Sequence, residues 1–85
     1  MITHVAIKSK VNGKVFSLPC PKRHHDVISL MVKAREPTPI STLGQGFLDD
    51  QGNFMDRLQA GTYAVACRQI ARLKWPPYLY SEDLW

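Results

Sequence analysis

Histidines, cysteines and aspartates are the side chains in this 85-residue chain whose types and spacing could do chemistry. His24 and His25 are adjacent, and Cys20 precedes them by a few residues, which invites comparison with a zinc site. Neighbouring residues on a helix point about 100° apart, so two adjacent imidazoles do not face one ion easily. No CxxC or HxxxH spacing accompanies them. We therefore predict no metal and no cofactor, with one histidine packed at a helix start and the other exposed.

A catalytic centre is not indicated either. A nucleophilic Cys20 with His24 as its base would need an orienting residue and an oxyanion site, whereas a cysteine between two prolines is more simply part of a turn. The carboxylates of Asp49, Asp50 and Asp56 fall at a turn and at a helix start, where structural roles account for them. The sequence thus predicts a protein that is not an enzyme.

Positive charge is concentrated in the first part of the chain. The net charge is +4, and residues 1–35 carry seven basic residues against one aspartate, which leaves residues 36–85 slightly acidic. A basic surface attracts acidic partners without specifying which one. We predict a partner-binding basic surface made of Lys8, Lys10, Lys22, Arg23, His24 and His25.

The basic surface leaves several partners open. An acidic protein surface, nucleic acid and a phosphorylated nucleotide are all compatible with it, as is a solvated face that only keeps the protein soluble. For nucleic acid, the chain has no helix-turn-helix, no zinc finger and no run of aromatic residues for stacking bases. The sequence therefore favours a solvated basic face over a nucleic-acid surface, while nucleic acid and a phosphorylated nucleotide stay open as alternative partners.

The first element that must position these residues is a β-hairpin. Asn12-Gly13 is typical of a two-residue type I′ turn, because both central residues of that turn need positive φ. The register that follows places Ile7 opposite Leu18. Since side chains alternate along a strand, one face becomes the core face. The predicted core face carries Val5, Ile7, Val11, Phe16 and Leu18. The predicted solvent face carries His4, Ala6, Lys8, Lys10, Val15 and Ser17.

Two helices and a second hairpin follow. Apolar spacing predicts a helix near residues 23–35, and prolines and small polar residues predict a loop over residues 36–45. A short hairpin over 47–55 turns at Asp50-Gln51-Gly52. A second helix over 57–71 begins at a capping box made by Asp56 and Gln59. Its predicted buried stripe consists of Ala60, Tyr63, Ala64, Cys67, Ile70 and Ala71. Its predicted outer positions are Arg57, Thr62, Arg68, Gln69 and Arg72.

We therefore predict an α+β fold over a single domain, residues 1–85. Two β-hairpins form a small, mostly antiparallel sheet, and two helices pack on one face of it. Gly61 is expected to weaken the second helix by under about 1 kcal/mol relative to alanine. Cys20 and Cys67 are expected to remain thiols, with Cys67 behaving as a small buried hydrophobe.

The carboxyl-terminal segment is rich in aromatic residues. Trp75-Pro76-Pro77-Tyr78 is predicted to be extended, because a residue before proline avoids the helical region. We expect the segment to dock on the body of the protein. The alternative is that Leu84-Trp85 anchors a short peptide motif in the groove of a partner.

The chain is expected to be soluble and cytosolic, with no membrane partner. Its apolar stretches are shorter than the roughly 18 residues of a membrane span, and its first residues do not form a signal peptide. A chain of this size buries only about 60% of its unfolded surface, so a homo-oligomer is possible as a source of further burial.

Four segments carry a resemblance to a known family. They are HVAIK at residues 4–8, PKRHHDVI at 21–28, GFLDDQGNFMDR at 46–57 and LYSEDLW at 79–85. Together they span nearly the whole chain, which resembles a family of small bacteriophage and prophage proteins. The family pattern has Glu-Ala after the arginine, where this chain has Leu58-Gln59-Ala60. The resemblance brings no catalytic residue with it.

The resemblance implies a viral gene product that works in the cytoplasm of a bacterial host. Small phage proteins without enzyme motifs often act by binding, so we expect an accessory protein that binds a host protein or protein complex. The leading role is inhibition of an anti-phage defence system, in the manner of anti-CRISPR proteins. The alternatives are a binder of nucleic acid or of a phosphorylated signalling nucleotide, and a protein of virion assembly.

Overall fold

The computed structural model of the protein describes residues 1–9, 13–35 and 44–85. Its elements in chain order are β1 (Ile2–Lys8), β2 (Val15–Pro19), α1 (His24–Lys33), β3 (Gln45–Asp49), β4 (Phe54–Asp56), α2 (Arg57–Ala66) and α3 (Ser81–Leu84). The four strands form one antiparallel sheet in the order β2-β1-β3-β4. The predicted α+β class is confirmed. Residues 36–43 of the predicted loop lie outside the described residues.

The register of the first hairpin differs from the predicted one by two residues. Ile7 lies opposite Phe16 rather than opposite Leu18. Lys8 pairs with Val15 and the Ser9 N–H donates to the Lys14 carbonyl at 2.8 Å, so the connection is longer than the two-residue turn that Asn-Gly favours. A shift of two residues is one full period of a strand, and it leaves the described side chains of β1 and β2 on their predicted faces.

The helices cover one face of the sheet, as the sequence predicted. The buried core consists of Ile2, Val5, Ile7, Val27, Met31, Phe47, Ala60, Ala64 and Leu79. Val5 and Phe47 are direct neighbours across β1 and β3, so the core lies over the centre of the sheet. Val11, which was also predicted for the core, lies outside the described residues.

The other face of the sheet carries none of the described helices, yet the residue at its centre is buried. Ala6 was predicted on a solvent face, but it is fully buried. Its partner on β3 is Gly46, where a Cβ would come within 2.1 Å of the Met55 carbonyl oxygen and 2.8 Å of the Phe54 ring. Only glycine allows this close approach, and the Phe54 ring lies against the sheet surface here.

Helix α2 begins as predicted and ends early. The Asp56 carboxylate accepts a hydrogen bond from the Gln59 N–H at 2.8 Å, and the Gln59 side chain accepts one from the Asp56 N–H at 3.1 Å. The helix stops at Ala66, where the sequence predicted residue 71. Arg68 adopts a left-handed conformation with φ of 60°, which turns the chain away.

The early end of α2 changes the environment of the residues that follow it. Cys67 was predicted on the buried side of the helix, but it is exposed, as is Ala71. Ile70 is half-buried against the core. The side chain of Gln69 instead turns back to β1, where it accepts from the Ile2 N–H at 2.7 Å and donates to the Ile2 carbonyl at 2.9 Å.

The carboxyl-terminal segment docks on the body of the protein, as expected. Leu79 is fully buried in the core, and the Trp85 indole N–H donates to the Lys22 carbonyl oxygen at 2.8 Å. The prediction that residues 75–78 are extended is wrong. The Tyr78 N–H donates to the Trp75 carbonyl at 3.2 Å and closes a turn, within which the Pro76–Pro77 peptide bond is cis.

Over the described ranges, we find no helix with the length and apolar character needed to cross a bilayer.

Candidate partner-binding surface

The two adjacent histidines occupy opposite environments. His24, at the first position of α1, is 7% exposed, and its Nε2–H donates to the Gly46 carbonyl oxygen at 2.8 Å. Its ring meets the Phe47 ring edge-on at 5.1 Å between centroids. Burial is the main reason that the pKa of His24 falls from 6.5 to about 4. The expectation of one packed and one exposed histidine is confirmed, because His25 is largely exposed.

This placement corrects part of the predicted basic surface. His24 is buried and, with a pKa near 4, neutral at pH 7, so it adds no charge to a surface. Lys10 lies outside the described residues. Lys8 stands on the sheet face that carries no helix, with its Nζ 5.9 Å from the centre of the Phe54 ring.

Lys8 is also distant from Lys22, Arg23 and His25, the other described charged members of the predicted basic surface. Pro19 pairs with His4 and leads directly into Lys22, whereas Lys8 is at the other end of the strand. Four residues of strand span about 13 Å. The structure therefore does not bring Lys8 together with the basic residues at the start of α1.

The remaining basic residues lie next to the docked carboxyl-terminal segment. Arg23 caps α1 and donates from its guanidinium to the Ser81 hydroxyl at 3.2 Å, which leaves it half-buried. Lys22 is exposed, and its carbonyl holds the Trp85 indole. Lys22, Arg23 and His25 thus form a small basic group at the start of α1. That this group binds a partner stays a prediction.

A different surface gathers the exposed apolar side chains. Leu58 and Val65 on α2 are 48% and 40% exposed, and Trp75 and Tyr78 after the helix are 54% and 48% exposed. The other exposed large apolar residues of the described chain are spread over three places, namely Met1, Val15 on β2, and Leu30 and Val32 on α1. We call Leu58, Val65, Trp75 and Tyr78 the α2 tail surface.

The segment that carries Trp75 and Tyr78 crosses α2 between Leu58 and Val65. Leu58 and Val65 are seven residues apart and therefore share one face of α2, with Gly61 between them. The chain crosses the helix at Gly61, where a Cβ would lie 2.7 Å from the Pro77 carbonyl oxygen. Tyr78 follows at once, and the turn that its N–H closes positions Trp75.

The buried guanidinium of Arg57 on α2 contacts the crossing segment, residues 77–80. Arg57 was predicted on the outside of the helix, but it is 8% exposed. Its Nη1 donates to the Leu79 carbonyl at 2.8 Å, its Nη2 donates to the Gln45 side chain, and its guanidinium carbon lies 4.5 Å from the centre of the Tyr80 ring. Burial lowers the pKa of Arg57, but the guanidinium remains charged.

Two perpendicular rings form an open corner at the edge of the α2 tail surface. The Trp75 and Tyr80 rings meet at 83° with centroids 5.5 Å apart. Together with Glu82 they line a solvent-open cavity of about 320 Å³. The π faces of such rings attract cations, and a carboxylate beside them strengthens that preference.

Most of the described carboxylates have structural roles, and they do not form a cluster with histidine or cysteine. In residues 1–9, 13–35 and 44–85, histidine, cysteine and acidic side chains do not gather in threes that could hold an ion. Most described carboxylates serve turns and caps instead. The Asp49 carboxylate, for example, accepts from the Gln51 and Asn53 N–H groups at 2.9 Å, and these hydrogen bonds lower its pKa.

Sequence reasoning identified the aromatic segment but not the surface. The spacing of Leu58 and Val65 was the available signal, because two large apolar residues seven apart on the polar side of a helix mark a second apolar face. The positions of Arg57 and Tyr80 carried no comparable signal, since they meet only after the chain has returned across α2.

The fold and this surface describe a small α+β protein whose docked carboxyl-terminal segment displays aromatic side chains beside an amphipathic helix. The chain belongs to the Phage T4 y16D protein family, whose model matches residues 1–85. This confirms a phage protein family, as the resemblance predicted. Searches of the curated proteins and of the solved structures gave no match.

Proposed function

We propose that this phage protein is a non-enzymatic accessory protein that binds a host protein in the bacterial cytoplasm through the α2 tail surface. Its leading role is inhibition of an anti-phage defence system. The observation that carries the proposal is the exposure of four large apolar side chains on α2 and on the segment that crosses it at Gly61. Grouped apolar exposure of this kind marks interaction sites in soluble proteins.

The residue types support a protein partner. Tryptophan and tyrosine are enriched among the residues that contribute most to protein interfaces, because each buries a large area with few rotatable bonds. Trp75 and Tyr78 are about half exposed and retain that area for a partner. At about 25 cal/mol per Å² of apolar area, burying the remainder of four such side chains favours association by several kcal/mol before the costs of binding.

The surface is also held in place before any partner arrives. The Arg57 guanidinium donates to the backbone of the crossing segment, and the Leu79 N–H donates to the Arg57 carbonyl at 2.9 Å. Leu79 itself is fully buried beneath the surface. A preformed surface loses less conformational entropy on binding than a flexible one does.

Affinity capture from infected host cells tests this function. We expect the wild-type protein to retain a host protein and the double variant Leu58→Glu, Val65→Lys to retain at least about tenfold less of it, because charges replace the apolar face. The two substitutions leave the net charge unchanged. They also suit the ends of α2, where an acidic residue near the start and a basic one near the end favour the helix dipole.

Leu30→Glu, Val32→Lys on α1 is the matched control, since it also replaces two exposed apolar residues by one charge of each sign. It should retain the partner as well as the wild type does. Equal loss in both double variants, or equal retention, would contradict the assignment of the surface. Recovery of virion proteins alone would point to assembly. Recovery of nucleic acid that is released steeply by salt would point to the basic group instead.

A further inference from the structure

We propose that the cavity lined by Trp75, Tyr80 and Glu82 receives an arginine side chain of the protein partner. This inference rests on the proposed function and names the chemistry of one contact within it. The cavity adjoins the α2 tail surface through Trp75, which belongs to both.

The two rings leave one suitable place for a planar cation. Their perpendicular arrangement, with centroids 5.5 Å apart, makes a corner in which a guanidinium can lie flat on one ring and against the edge of the other. One face of Tyr80 is already occupied by the Arg57 guanidinium. Trp75 is 54% exposed and keeps ring surface free for a second cation.

Glu82 supplies the countercharge. The other described carboxylates each take part in a hydrogen bond or an ion pair, namely Asp26, Asp49, Asp50, Asp56 and Asp83. Among the described aspartate and glutamate side chains, Glu82 alone makes neither, and its negative charge acts on Arg57 and His24 only through space. An arginine can donate two parallel N–H groups to one carboxylate, a geometry that the lysine ammonium cannot reproduce.

The electrostatics of the cavity disfavour an anion. Among the described residues no basic side chain lines it, whereas a nucleotide or phosphate would meet the carboxylate of Glu82 directly. The Arg57 guanidinium is not among the lining groups: it lies on the Tyr80 ring, interacts electrostatically with Glu82, and donates to the Leu79 carbonyl and the Gln45 side chain. A volume of about 320 Å³ is at the small end of the range for ligand pockets, which suits a single side chain.

Peptide titration of the purified full-length protein tests the site. The probe is acetyl-Gly-Arg-Gly-amide, and its neutral counterpart carries citrulline in place of arginine. Nuclear magnetic resonance follows the two indole N–H signals, assigned with a Trp75→Phe variant. We expect the arginine peptide at millimolar concentration to shift the Trp75 signal and to leave Trp85 unchanged, because that indole is bonded to the Lys22 carbonyl.

Glu82→Gln should weaken binding of the arginine peptide about fivefold, since it removes the charge and keeps the shape. Asp50→Asn removes one charge elsewhere and should leave the affinity unchanged. An equal response to the citrulline peptide, an unchanged affinity in Glu82→Gln, or no shift at Trp75 would each overturn the proposal.

The peptide titration and the capture experiment have independent outcomes. If Glu82→Gln binds the peptide weakly but captures the host protein as well as the wild type does, the partner uses no arginine here and the inference is overturned while the proposed function stands. If no host protein is captured at all, the proposed function is overturned, whatever the peptide does. Weaker capture by Glu82→Gln, together with weaker peptide binding, supports both.

Discussion

Acidification from pH 7 to pH 4 is expected to lower the free energy of unfolding by about 3 kcal/mol, mainly through His24. The pKa of this imidazole falls from 6.5 to about 4 in the folded protein. Between those values the unfolded chain binds a proton that the folded protein does not. Stability therefore rises with pH from about 4 to about 6.5 and is lost as the pH falls through that range.

The structural cause is the burial of a neutral imidazole. Burial lowers the pKa most, the hydrogen bond to the Gly46 carbonyl raises it, Arg57 lowers it, and Glu82 raises it. The Nε2–H group is satisfied by the Gly46 carbonyl at 2.8 Å, so the neutral ring fits its site. A charged ring would have to be held beside the buried guanidinium of Arg57.

Urea unfolding between pH 7 and pH 4 measures the effect, and the adjacent histidines provide a matched pair. His24→Gln should be less stable at pH 7 and should lose most of the pH dependence above pH 4. His25→Gln changes an exposed residue and should keep both the stability and the slope of the wild type. A flat profile in His25→Gln, or an unchanged slope in His24→Gln, would contradict the account.

Gly61→Ala should destabilise the protein by about 1–2 kcal/mol, although alanine is the better helix former. In an open helix the exchange would gain up to about 1 kcal/mol. Here the new Cβ would lie 2.7 Å from the Pro77 carbonyl oxygen and 3.1 Å from a Leu73 methyl. Overpacking of this kind costs about 1–3 kcal/mol and exceeds the gain, because backbone must move to relieve it.

Thr62→Ala is the control for Gly61→Ala, since it makes an alanine one position further on, at an exposed site of the same helix. It should raise the stability slightly, by a few tenths of a kcal/mol, through helix propensity alone. Opposite signs for the two variants in thermal or urea unfolding are the expected result. A stabilising Gly61→Ala would show that the crossing segment does not pack on α2 as described.

The sequence predicted those parts of the fold that depend on residues close together in the chain. The second hairpin and the start of α2 follow from a turn and from the reciprocal hydrogen bonds of Asp56 and Gln59, all within a few residues. The first hairpin was placed two residues out of register, because the Asn-Gly signal favours a short turn while the pairing ends earlier. The end of α2 was missed because the residue in the left-handed conformation there is Arg68, whereas glycine usually occupies that position and signals a helix end.

The candidate site depended on contacts that no local pattern reports. The pattern predicted that one histidine of the pair is buried, but it could not say which, because that depends on the position of Gly46 on β3. Arg57 looked like an outer helix position, and only the return of Leu79 and Tyr80 across α2 buries it. The charge count predicted a basic surface, whereas the exposure of the apolar side chains of the α2 tail surface depends on how the folded chain packs.

Site-specific photo-crosslinking in infected host cells tests the central claim most directly. A photoreactive phenylalanine analogue replaces Leu58, which is 48% exposed, in one protein and Val32 on α1, which is 61% exposed, in another. We predict a discrete adduct with one host protein from position 58 and none from position 32. An adduct of equal yield from position 32, or no host adduct from position 58, would contradict the α2 tail surface as the binding site.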